Sequence, residues 1–145
     1  MLSKLKYAGI PLDDLVTIYK LFIRSVTEYS SVVYHTSLTI ELTRKIECIQ
    51  ATCLKIILGH NYTSYSEALE KLNMQSLYER REQRLINFAL KCTEDPCISH
   101  IFPRNKNTSS REKYQVNFAR TSTYYKSTVP QAQRRLNQLC NNINT

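Results

Sequence analysis

DLVTIYKLFIRSVTEYSSVVYH, from Asp14 to His35, and KIECIQATCLKIILG, from Lys45 to Gly59, decide the fold class of this chain. In the first stretch Leu15, Tyr19, Phe22, Val26, Tyr29 and Val33 recur at three- and four-residue steps. That spacing puts side chains on one face of an α-helix. Leu12, Val16, Ile23 and Val32 widen the stripe, as a helix packed on two neighbours requires. Pro11 or Leu12 opens the helix, and Asp13 and Asp14 complement the dipole of its first turn. In the second stretch Leu42, Ile46, Ile49, Cys53, Ile56 and Ile57 form the expected buried face. Thr39 is placed to cap its start and Gly59 to end it.

Working outward, Leu2 to Ala8 forms a short first helix, with Gly9 at its C′ position and Pro11 stopping propagation. Such a start looks truncated, as if the helix continued upstream. Two capping boxes follow. Ser64-Tyr65-Ser66-Glu67 opens a helix to Leu72, and Ser76-Leu77-Tyr78-Glu79 opens a longer one to Thr93. On the latter, Leu77, Leu85, Phe88, Ala89 and Cys92 face inward, and Pro96 marks the exit. With 2 Gly and 4 Pro in 145 residues, turn-rich β architectures are disfavoured. The expected fold is all-α, a compact bundle of about five helices over residues 1–96. Residues 97–145 are expected to be a basic, partly irregular arm. Within it Arg104 to Lys113 reads as a linker, Tyr114 to Phe118 and Thr123 to Tyr125 as short extended segments, and Gln131 to Asn142 as a terminal helix after Pro130.

Charge separates the same two regions. Residues 1–100 carry 12 Lys and Arg against 11 Asp and Glu, whereas residues 101–145 carry 8 against the single acid Glu112. A cationic extension on a neutral body is the outline of a polyanion binder, with a solvated tail as the bland alternative. Arg111, Lys113, Arg120, Lys126, Arg134 and Arg135 are interleaved with Phe118, Tyr124 and Tyr125, so phosphate neutralisation and stacking on unpaired bases are both available. Tyr114 belongs to the same alternation, as do Arg104 and Lys106. About five phosphate contacts would give a log–log salt slope on the order of −4. Arg80, Arg81 and Arg84 add a second basic group, which interleaved Glu79 and Glu82 could equally hold in surface ion pairs. Arg24 is expected to pair with Glu28 one turn on.

No apolar run approaches the ~20 residues of a membrane span, and MLSKLKYAG lacks a signal-peptide core. The five cysteines, an odd number, point to free thiols in an intracellular chain of nucleus or cytoplasm. The sequons at Asn61 and Asn107 are then chance matches.

The motifs themselves carry a family likeness. Asp14-Leu15, Ile18-Tyr19, Phe22-Ile23-Arg24, Val26, Glu28-Tyr29 and Val33, then Ile46-Glu47, Ile49-Gln50 and Leu54-Lys55-Ile56-Ile57, resemble the segment downstream of the polymerase core in non-LTR retrotransposon reverse transcriptases of the Jockey and LINE type. Tyr65, Ala68-Leu69, Leu72, Leu77, Glu79-Arg80-Arg81 and Phe88-Ala89 continue it. Ala119-Arg120-Thr121-Ser122 and Tyr125-Lys126-Ser127 resemble the family's basic terminal segment. The family has Pro where Ser25 stands and Trp where Tyr34 stands. Loss of the Pro is expected to straighten the second helix. The resemblance implies a thumb-side fragment of an RNA-directed DNA polymerase. It would hold an RNA or DNA template-primer through backbone contacts, beside an upstream palm.

No residue set here supports catalysis. Asp13-Asp14 is an acidic doublet at a helix start, without the aromatic and strand context of a polymerase metal site, and reads as dipole complementation. Segments of this kind are also labelled as part of an alkylation-repair dioxygenase. His35, His60 and His100 begin no His-x-Asp pair, so the iron triad of that chemistry is not encoded. Cys92, Cys97 and His100, with Cys140 far away, lack the paired spacing of a zinc site. Two Gly residues leave no phosphate-binding glycine loop. The reading is therefore non-catalytic, without metal or cofactor. The competing reading is a structural or protein-interaction remnant of a mobile element, which an exposed apolar surface would incline to self-association.

Overall fold

Helix dominates because the sequence supplies apolar residues at helical period and places Gly and Pro at helix breaks or, for Pro130, in a helix's first turn. In the computed structural model, which describes residues 1–106 and 112–143, 72% of the described residues are helical. Among the described residues no strand forms, only an isolated antiparallel bridge between Arg104 and Tyr114. The fold is all-α. The helices are α1 (Leu2–Tyr7), α2 (Leu12–Ile18), α3 (Arg24–Thr27), α4 (Ser31–Tyr34), α5 (Ile40–Leu58), α6 (Tyr65–Lys71), α7 (Leu77–Glu94), α8 (Ser122–Tyr125) and α9 (Thr128–Ile143).

Two compact units share the chain. The first comprises Met1–Tyr29 and Leu38–Arg80. The second comprises Ser30–Ser37 and the residues from Arg81 on. The division falls inside α7, where the sequence reading put it after residue 96. The difference has a physical cause: Leu85, Ala89 and Cys92 of α7 share a core with Phe102, Tyr114, Ala132 and Leu136. The basic extension thus contributes to a core of its own.

In the first unit Leu2, Leu15, Val16, Tyr19, Cys53 and Ile57 form one cluster, and Leu54, Leu58 and Ala68 another. Each fully buried Leu contributes about 1.5–3 kcal/mol relative to exposure. The caps read from sequence are present. Thr39 Oγ1 accepts from the Leu42 amide at 3.2 Å. Ser76 Oγ accepts from the Glu79 amide while Glu79 Oε2 accepts from the Ser76 amide, both at 3.2 Å. Gly9 and Gly59 take φ of 80° and 59°. Lys6 Nζ completes the end of α5 by donating to the carbonyls of Ile56 and Ile57 at 2.7 and 3.0 Å. That tertiary cap satisfies carbonyls the helix leaves open.

The Asp14–His35 stretch departs from the straight helix expected of it. A π-turn over Tyr19–Ile23 separates α2 from α3, and Ser30, at φ 50°, ends the run before α4. The π-turn inserts one residue into the helical phase. The covered positions then step from Tyr19 to Ile23, Thr27 and Glu28. Phe22, Val26 and Tyr29 rotate outward instead and are 61, 75 and 79% exposed. Ser25 perturbs the helix locally. Its Oγ donates back to the Leu21 and Phe22 carbonyls at 2.5 and 3.1 Å, a bond that competes with the helix ladder.

Similarly, burial on α5 is confined to Gln50, Cys53, Leu54, Ile57 and Leu58. All but Gln50, which donates to the Gln75 carbonyl, share clusters with Leu2 or Ala68, while Leu42 and Ile49 stay exposed. Glu28, almost fully buried, is held by Arg80 of α7, a partner from far along the chain. Arg80 Nε and Nη2 reach its two oxygens at 2.5 and 3.2 Å.

Candidate nucleic-acid interface

The site begins with how residues 113–117 are fixed on α9. Gln133 and Asn137 are four apart, hence on one face of that helix. Asn137 pairs with the backbone of Tyr114 in both directions, accepting from its amide at 2.8 Å and donating to its carbonyl at 2.9 Å. Gln133 accepts from the Asn117 amide at 3.0 Å and donates to the Ile101 carbonyl at 2.9 Å. Two buried carboxamides thereby replace the ladder that an irregular segment lacks. The sequence reading gave neither this bracing role. Their i,i+4 spacing beside Ala132 and Leu136 was the available signal.

On this platform sits α8, where an extended segment was expected. Thr121 Oγ1 caps it by accepting from the Tyr124 amide at 3.2 Å. The Arg134 guanidinium lies over the Tyr125 ring, 3.7 Å from its centroid, and donates to the Tyr125 carbonyl at 3.2 Å. Gln131 donates to the same carbonyl at 2.9 Å. Tyr125 nevertheless keeps 48% of its surface open. Asn117 Nδ2 donates to the Tyr124 hydroxyl at 3.3 Å. The result is a braced aromatic pair beside a cation, the combination that stacks on unpaired bases.

The other residues singled out from sequence divide. Lys113, Arg120 and Lys126 are exposed, as are Lys106 and Arg104. Phe118 is exposed and Tyr114 is buried, so only the first can stack on a ligand. Arg111 lies outside the described residues. Arg84 is exposed on α7.

Three arginines need correction. Arg80 is committed to Glu28, which raises the guanidinium's affinity for its proton. Arg81 is fully buried, where no phosphate reaches it. Arg135 Nε pairs with Glu82 Oε1. Glu82 also meets His35 Nε2 at 2.8 Å. The His35 hydrogen bond, followed by the charge of Arg135, holds the Glu82 carboxyl below its ordinary range. Burial pushes the Cys92 thiol up, as it does Cys53, so neither is an activated nucleophile. Among the described residues no group of three His, Cys, Asp or Glu is placed to hold a metal, and no helix is long and apolar enough to cross a membrane.

No protein-family model matches the chain, and no curated protein or solved structure matches it significantly.

Proposed function

We propose that this chain is a non-catalytic, thumb-side module of a non-LTR retroelement reverse transcriptase that holds a template-primer, RNA or DNA, through its backbone. The observation that carries the reading is the Tyr125–Arg134 stack, half open to solvent, on a surface segment that also exposes Lys113, Arg120 and Lys126. Exposed cations release counterions when they meet phosphates, and the open aromatics accept bases without regard to sequence. Any polymerisation would belong to a palm outside this sequence. A gel-shift series with single-stranded and RNA–DNA hybrid oligonucleotides tests it. Binding should be strong at low salt and fall steeply as salt rises. No shift at low salt would sink the reading.

A second reading, a structural or protein-interaction remnant, draws on the first unit. There Leu21, Phe22, Val26 and Tyr29 expose large apolar side chains within one nine-residue span. Apolar patches of this kind favour association. Concentration-dependent sizing chromatography decides, since a monomer at all concentrations removes self-association.

A further inference from the structure

The cup in the second unit lined by Ser37, Ser122, Thr123 and Lys126 has a volume of about 170 Å³. That is the space of five or six waters at about 30 Å³ each, enough for one tetrahedral oxyanion with part of its hydration. Its wall holds three hydroxyls and one ammonium, and no carboxylate. None of these four side chains has a hydrogen-bonding partner among the described residues. They are also not needed to hold the local backbone. Thr121 already caps α8, and the Lys126 amide bonds the Ser122 carbonyl at 3.1 Å. That backbone bond sets Ser122 and Lys126 one turn apart on the same side. Ser37 comes from far upstream in the chain. Its segment is held by Thr128, whose hydroxyl donates to the Val32 and Val33 carbonyls, both at 3.2 Å.

We propose that this cup is a phosphoryl-group subsite. Hydroxyl hydrogens rotate to donate toward whatever enters, and the ammonium supplies the charge. A cation is disfavoured by Lys126, and an apolar group would find three hydroxyls and an ammonium but no apolar wall to bury against. The phosphoryl group can be a nucleic-acid backbone phosphate or free phosphate. The first source rests on the function proposed above; the second does not.

The test uses the full ¹⁵N-labelled chain, titrated separately with a single-stranded oligonucleotide and with inorganic phosphate, alongside Ser37→Asp and Lys126→Gln. Folding of each variant is checked by far-ultraviolet circular dichroism. The oligonucleotide is expected to shift the amides of Ser37, Ser122, Thr123 and Lys126. Each variant should weaken binding several-fold and flatten the log–log salt slope by about 0.7, the share of one phosphate on a single strand. If the wild type binds the oligonucleotide but both variants match it in affinity and slope, the subsite is wrong while nucleic-acid binding stands. If the oligonucleotide fails to bind but phosphate shifts the same amides and Ser37→Asp abolishes the shift, the subsite stands and the template-primer reading falls. Silence to both ligands overturns both.

Discussion

Replacing Glu82 with Gln isolates the charged cluster of the second unit, with a magnitude that follows from its geometry. Glu82 meets His35 Nε2 at 2.8 Å and Arg135 Nε, and the side chains of His35 and Arg135 are 6% and 34% exposed. For nearly dry His35, losing a charged acceptor costs about 1–3 kcal/mol. For Arg135, a third open to water, the loss is about 0–1 kcal/mol. Gln preserves volume and one acceptor, so the expected loss at pH 7 is about 2 kcal/mol, or roughly 4–8 °C in Tm for a chain of this size. The pH dependence has a definite sign. His35, then Arg135, lower the Glu82 carboxyl below its ordinary value of 4.5. A depressed native pKa favours the folded state while the carboxylate is ionised. The contribution is therefore whole above the ordinary value and fades as pH falls through the native one. Urea unfolding of wild type and Glu82→Gln, followed by circular dichroism at pH 7, 5 and 3, should show a gap that closes below the carboxyl's ordinary range. A gap under about 0.5 kcal/mol at pH 7, or one of undiminished size at pH 3, refutes the reasoning.

Tyr125→Ala removes both the stacking face and the seat of Arg134, and should weaken single-strand binding by about 1–3 kcal/mol in fluorescence anisotropy, while Tyr125→Phe retains most of it. Gly59→Ala places a Cβ at positive φ and against Lys6 Nζ, which must leave the carbonyls of Ile56 and Ile57. The expected loss is about 1–2 kcal/mol in urea unfolding, the backbone penalty of a left-handed residue plus part of a charged hydrogen bond. Ser76→Ala deletes one arm of the reciprocal cap at the start of α7 and should cost about 1 kcal/mol. Hydrogen exchange should then quicken at the Glu79 amide, while a control at Ser99 leaves it unchanged.

Local signals were read well where the interaction is itself local. Thr39, Ser64 and Ser76 cap the helices they precede, and Gly9 and Gly59 end theirs, because capping needs only residues within one turn. The inward positions Leu77, Leu85, Ala89 and Cys92 of α7 were equally legible from period alone. Phe88 was not: it continues the pattern yet keeps 40% of its surface exposed, since periodicity names a face and not the width a neighbour covers. For the site, Tyr124, Tyr125 and the cations of the extension could be named from composition. Their bracing by Gln133 and Asn137, and the diversion of Arg80 and Arg135 to carboxylates, depend on partners 16 to 53 positions away.

The amino-acid order alone determined that the chain is helical, where most helices begin and end, and that positive charge gathers after residue 100. These properties follow from φ/ψ preferences, capping and composition, each confined to a few neighbouring residues. Tertiary structure alone decided which faces are covered. A π-turn at Tyr19–Ile23 turned Phe22, Val26 and Tyr29 to solvent, Arg81 was buried, and Ser37 was carried to Lys126. Burial and ion pairing are settled by which distant groups compete for the same space and the same charge, and that competition has no short-range signature in the sequence.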